Sequence, residues 1–120
     1  MSEKDILDPA ALARLREWGG DKLLLQMARL FLDNSPARVE QIRVGSKAGG
    51  DVQEAEKGAH SLKSSAANVG ANELREIAAA MERHAGGGAQ DALSELLPDL
   101  ESAYARVREA LEEIVRGTES

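Results

Sequence analysis

Between Leu93 and Ile114 apolar residues return at steps of three and four: Leu93, Leu96, Leu97, Leu100, Tyr104, Val107, Leu111 and Ile114. The pattern is close to a heptad seam and predicts one long helix carrying a single apolar stripe. A stripe of that kind is stable only when other elements cover it. Pro98 is expected to bend this helix or to mark the start of its longer part.

The rest of the chain supplies the covering elements, punctuated by glycine and proline. Asp8-Pro9 reads as an N-cap followed by proline at the first helical position, where a missing N–H costs nothing. That helix carries Leu12 and Leu15 and stops near Gly19-Gly20, with Trp18 expected to plug the bundle end. Asp21 is a candidate cap for a second helix whose Leu23, Leu24, Met27, Leu30 and Phe31 form one buried face. Ser35-Pro36 repeats the cap-plus-proline signal. It either starts a helix carrying Val39 and Ile42 or kinks a continuous one. After Gly49-Gly50, Asp51 caps a helix reaching about Asn68. Beyond the Val69-Gly70 turn a further helix runs from about Asn72 to the Gly86-Gly87-Gly88 break, with Leu74, Ile77, Ala78, Met81 and Ala85 on its stripe.

No strand-like alternation persists, and an aromatic content of 2% argues against a β-rich core. Short links between amphipathic helices favour antiparallel neighbours. The expected fold is all-α: an up-and-down antiparallel four-helix bundle over about 21–116, with a short N-terminal lid helix over about 8–18, in one domain of 120 residues. Fifteen Lys and Arg against 21 Asp and Glu give a net charge of −6. An acidic surface without rings for base stacking disfavours nucleic acid and anionic membranes as partners. There is no cysteine and no apolar signal-like core in the first 30 residues, so a cytoplasmic protein, expected to be a monomer, is the reading.

The segment Asp51–Gly70 carries the chemistry. At about 100° per residue, Ala55, Ala59, Leu62, Ala66 and Val69 share an arc roughly 80° wide, and His60 lies roughly 140° from its centre. The imidazole is therefore expected in water, with Glu56, Lys57, Lys63 and Ser64 three and four residues away. A neutral imidazole is a competent nucleophile near pH 7. Nearby ammonium groups would stabilise a phosphoryl group placed on it. The same positions also read as an ordinary solvated face, with the lysines paired to Glu56 and other acids.

The order of residues separates these readings. Ala59-His60-Ser61-Leu62-Lys63-Ser64-Ser65-Ala66-Ala67-Asn68-Val69-Gly70-Ala71 resembles the signature of histidine-containing phosphotransfer (HPt) domains, A-H-x-L-K-G/S-S-x-x-x-x-G-A. The Leu-Glu pair that follows in the family stands here as Met81-Glu82, and the glycine four residues after the histidine is Ser64. Phe31-Leu32-Asp33-Asn34-Ser35-Pro36-Ala37-Arg38 is similar to the family's second-to-third helix junction, so the resemblance extends from Asp21 to about Leu111.

The resemblance implies a four-helix bundle in which His60 accepts a phosphoryl group from the phospho-aspartate of a response-regulator receiver domain and passes it to another. Lys63 would stabilise the group, and Ser64 would line the docking site with a possible hydrogen bond to a phosphoryl oxygen. The receiver would bring the Mg²⁺, leaving this chain with no cofactor of its own, and a hybrid sensor histidine kinase would stand upstream. Such a chain is a phosphocarrier, not an enzyme. Two alternatives remain: a helical interaction module with an incidental surface histidine, and the phosphotransfer domain of a larger sensor kinase. His84, toward the edge of its helix's stripe, is expected to be structural at that boundary. No H-E-x-x-H, EF-hand or P-loop pattern is present.

Overall fold

The computed structural model describes residues 6–119. They form four helices: α1 (Pro9–Ser46), α2 (Val52–Asn68), α3 (Asn72–Gly86) and α4 (Gln90–Glu119). No strand occurs among the described residues. Two of the expected caps are in place. The Asp8 carboxylate accepts from the Ala10 N–H at 3.0 Å, with Pro9 opening the helix, and the Asp51 carboxylate accepts from the Gln53 N–H at 2.9 Å. Each relieves one of the unpaired donors of a first turn.

α1 is two arms, 9–19 and 21–46, joined across Gly20, whose φ of 71° and ψ of −169° interrupt the helical backbone. Glycine adopts this region without a Cβ penalty. The first arm occupies the stretch expected as a separate lid. It lies against the α2–α3 turn, where the Asp8 N–H donates to the Gly70 carbonyl at 2.8 Å, and it buries Ala11 and Leu15. Asp21, read as a cap, is instead ion-paired with Arg16 at 3.2 Å.

The fork at Ser35-Pro36 resolves to a continuous helix, because Pro36 lies inside the second arm. Ser35 is no cap. It is 1% exposed, and its hydroxyl is hydrogen-bonded to the Tyr104 hydroxyl at 3.0 Å across α1 and α4. Two buried hydroxyls thus satisfy each other. Pro98 does not mark the start of α4, which begins at Gln90 and runs through it.

α1 and α3 each pack against both α2 and α4, which closes a four-helix bundle. The start of α4 returns to the end of α1: the Ser94 hydroxyl donates to the Ser46 carbonyl at 2.7 Å, and the Gln90 amide donates to the Lys47 carbonyl. With the short connections, this makes the order up-and-down. Leu24, Phe31 and Ile42 of α1, Leu62 of α2, Leu74 and Met81 of α3, and Leu93, Leu100 and Leu111 of α4 fill the interior. α2 sits unusually close to α1, because a Cβ at Gly58 would stand 3.0 Å from the Arg38 carbonyl oxygen and the Ile42 Cγ1.

Two apolar placements differ from expectation. Trp18 is 70% exposed and plugs nothing. It lines an open cavity of about 410 Å³ with Leu15, Leu23, Met27 and Ala67, where the break at Gly20 separates the arms beside the end of α2. Leu30 is also exposed, because α1 turns Leu24, Ala28 and Phe31 inward and leaves its neighbour on the flank.

Candidate functional site

The sequence of α2 divides cleanly into two faces. Ala55, Ala59, Leu62 and Ala66 are buried, whereas His60, Ser64 and Ala67, spaced at i, i+4 and i+7, are exposed. Alanine and glycine on the inner face let α2 settle deeply between α1 and α3. The outer face then presents the imidazole with two small residues, Ser64 and Ala67, on the following turns. His60 keeps 64% of its side-chain surface in solvent, as its wheel position predicts.

The ring's immediate neighbour is an anion, which the wheel did not foresee. His60 Nδ1 lies 2.7 Å from Glu82 Oε2, and the Lys63 ammonium donates to Glu82 Oε1 at 2.6 Å. One carboxylate from α3 therefore holds two side chains of α2, one with each oxygen. Lys57, the other lysine beside His60 in sequence, pairs with Glu54 at 3.4 Å. Ser64 is exposed one turn beyond His60.

Glu82 reaches this position because Met81, beside it, is fully buried and anchors that turn of α3. Its side chain is 22% exposed. The Lys63 hydrogen bond, and then that of His60, hold its carboxyl below the ordinary carboxylate range, against the opposing effect of burial. A lowered folded pKa stabilises the fold above the ordinary carboxyl pKa, and the contribution is lost as pH falls through the folded value. Replacing Glu82 by Gln should therefore cost less than about 1 kcal/mol at pH 7, since Lys63 and His60 are partly in solvent. Urea titrations should find that deficit closing as the pH is lowered past the ordinary carboxyl range; a deficit independent of pH would contradict the ion-pair assignment.

An ionised carboxylate can only accept hydrogen bonds, so of the two neutral tautomers of the ring Glu82 selects the one with its proton on Nδ1. The lone pair then resides on Nε2. The site thus offers an oriented, solvent-facing nitrogen nucleophile with an ammonium group one turn away. Sequence reasoning had singled out His60, Lys63 and Ser64, and α2 brings all three to one face. It had noted Glu82 in the Met81-Glu82 pair without giving it a role; the available signal was an acid following a core residue on the stripe of α3. His84, expected at the edge of the stripe of α3, is exposed beside the buried Ala85. Among the described residues no group of three or more His, Cys, Asp or Glu side chains is placed to hold a metal ion. No described helix is long and apolar enough to cross a membrane.

Comparisons with known proteins bear on the family and the fold. Residues 26–115 match the family described as the Hpt domain. Among solved structures, the chain is similar to histidine-containing phosphotransfer protein B (HptB) from Pseudomonas aeruginosa PAO1, with 26% sequence identity and a TM-score of 0.85 over 95% of this chain and 97% of that one. No curated protein sequence matches.

Proposed function

Because the chain belongs to the Hpt domain family, the histidine phosphotransfer domains of phosphorelays, we propose that His60 Nε2 takes a phosphoryl group from the phospho-aspartate of a receiver domain and returns it to another. The observation that carries the reading is the exposed ring, held through Nδ1 by Glu82. In the forward step the Nε2 lone pair forms a bond to phosphorus. The bond between phosphorus and the aspartyl oxygen breaks, and its electron pair stays on the aspartate carboxylate. The ring keeps its Nδ1 proton and becomes a phosphorylated cation facing Glu82. No proton has to leave, so the reverse step needs only cleavage of the N–P bond, with its electrons returning to Nε2.

The remaining roles follow from position. The Lys63 ammonium offsets the charge of the transferred group, and the Ser64 hydroxyl donates to a phosphoryl oxygen. Ala67 leaves room for the incoming domain. Little covalent chemistry is required of the carrier, because phosphoryl transfer depends mainly on positioning and electrostatics. The receiver supplies the Mg²⁺, and the upstream donor is a hybrid sensor histidine kinase. The chain acts as a phosphocarrier, a monomer in the cytoplasm, without kinase activity of its own. Nucleic acid is no partner of a surface with net charge −6.

The cavity beside Ala67 extends the contact surface. Its lining of Leu15, Trp18, Leu23 and Met27 adjoins the exposed face of α2, and a receiver docked over His60 would cover it. Trp18→Ala is expected to weaken receiver binding roughly 5- to 30-fold, in the range of an interfacial tryptophan, with an unchanged melting temperature. Isothermal titration calorimetry measures this directly; unaltered affinity would remove the cavity from the docking surface.

The reading is tested by incubating the protein with each of a panel of phosphorylated receiver domains and Mg²⁺. Acid-labile, alkali-stable label should move to the chain from at least one of them. A folded protein that takes no label from any would overturn the proposal and favour a helical interaction module.

A further inference from the structure

Glu82 touches both functional side chains of α2, and its contact with Lys63 has a consequence for the transfer step. In the structure the Lys63 ammonium is committed to a carboxylate at 2.6 Å, while the other oxygen of that carboxylate takes His60 Nδ1. Lys63 cannot give its full charge to a group on Nε2 while Glu82 holds it. We infer that Glu82 is a positioning residue that stores Lys63 in the unphosphorylated protein, and that the phosphoryl group on His60 draws Lys63 away from it. The inference rests on the phosphotransfer reading of His60.

Three features support an exchange over a fixed bridge. First, Lys63 is only three residues from His60 on α2, so its four-carbon stem can sweep between α3 and the ring without movement of the helix. Second, its side chain is 35% exposed, so no packed core has to open. Third, a phosphoryl group carries up to two negative charges and three acceptor oxygens against the single charge of Glu82, which favours it as the new partner. Glu82 keeps the Nδ1–H hydrogen bond in both states and so retains the ring's orientation when Lys63 leaves. The carboxylate then faces the phosphorylated ring cation, replacing the positive charge it has lost. The local charge pattern is preserved while the lysine changes sides, which keeps the phosphorylated and free states close in energy. A carrier that must both accept and donate requires that balance.

Glutamine at position 82 separates the two functions, since its carbonyl oxygen can still accept from Nδ1–H while its neutral amide no longer retains an ammonium. The test uses a His84→Asn parent, so that His60 is the chain's remaining histidine. Potassium phosphoramidate phosphorylates it by attack of Nε2 on phosphorus with release of ammonia. The side-chain NMR signal of Lys63 is assigned by its absence in Lys63→Ala. Glu82→Gln should displace that signal in the free protein, whereas the phosphorylated parent and phosphorylated Glu82→Gln should give coincident signals. A Lys63 signal that phosphorylation leaves unmoved would overturn the inference, as would an equal Glu82→Gln displacement in both states.

The transfer equilibrium with a receiver gives a second measurement. The loss of phosphorylated carrier caused by Lys63→Ala should be at least about threefold larger in the Glu82→Gln background, where the lysine is free from the start. An equal or smaller loss there counts against storage. Labelling by phosphoramidate but by no receiver would count against the receiver reading alone, and the Lys63 signal would still decide this one.

Discussion

His60→Gln should abolish phosphoryl acceptance while leaving the fold as it is. Glutamine approximates the polarity of the ring and can donate its amide N–H to Glu82. Its nitrogen lone pair, however, is delocalised into the carbonyl and cannot attack phosphorus. Of the other side chains on this face, Ser64 is a neutral hydroxyl and the Lys63 ammonium is held by Glu82, so neither replaces the imidazole as nucleophile. Label from a phosphorylated receiver should fall by at least about a thousandfold, to background. Stability should change by no more than about 0.5 kcal/mol, as for most exposed positions. Autoradiography after acid and alkali treatment, paired with a thermal melt, measures both. Full labelling of a folded His60→Gln protein would move the acceptor to another residue, and His84→Asn, expected to label normally, identifies whether that residue is His84.

Leu62→Ala should do the reverse. Leu62 lies between His60 and Lys63 in sequence but points into the bundle with 0% of its surface exposed. Truncation removes buried apolar contacts and leaves a cavity, at a cost of about 3 kcal/mol for a leucine so enclosed. For a domain of this size that corresponds to a fall in melting temperature of roughly 10 °C. Below the transition the helix still presents His60 and Lys63, so transfer at low temperature should remain close to that of the parent. A melting temperature within about 3 °C of the parent would mean that the neighbouring alanines close around the gap, and that packing behind the site is looser than the structure implies. The two substitutions, two residues apart, would then separate chemistry from stability along one helix.

Much of this organisation was legible beforehand because it is local. The faces of α2 follow from the 3.6-residue period, which places His60 outside and Leu62 inside whatever the neighbours are. Asp8 and Asp51 cap their helices by reaching an N–H two residues on, an interaction that needs no other part of the chain. The histidine signature is a contiguous string, and so it can be read without knowing the fold. Local signals also misled where tertiary contacts compete with them. Ser35-Pro36 carries the same cap-plus-proline pattern as Asp8-Pro9, yet Tyr104, far along the chain, takes the Ser35 hydroxyl and the helix continues. From local sequence Trp18 is expected to plug the bundle end and Leu30 to share the buried face of its helix. The break at Gly20 and the rotation of α1 decided otherwise.

By itself, then, the sequence determined the helical class, the solvent-facing histidine and its placement beside Lys63 and Ser64. Only the tertiary structure decided that Glu82 joins them, bridging Nδ1 of the ring and the ammonium of Lys63. The reason is geometric: the orientation of a side chain on its own helix is set by residues within four positions, whereas a contact between α2 and α3 depends on the axial register of two helices. That register is settled by the packing of Leu62, Ala66, Leu74 and Met81 in the common core, which no local stretch of chain contains.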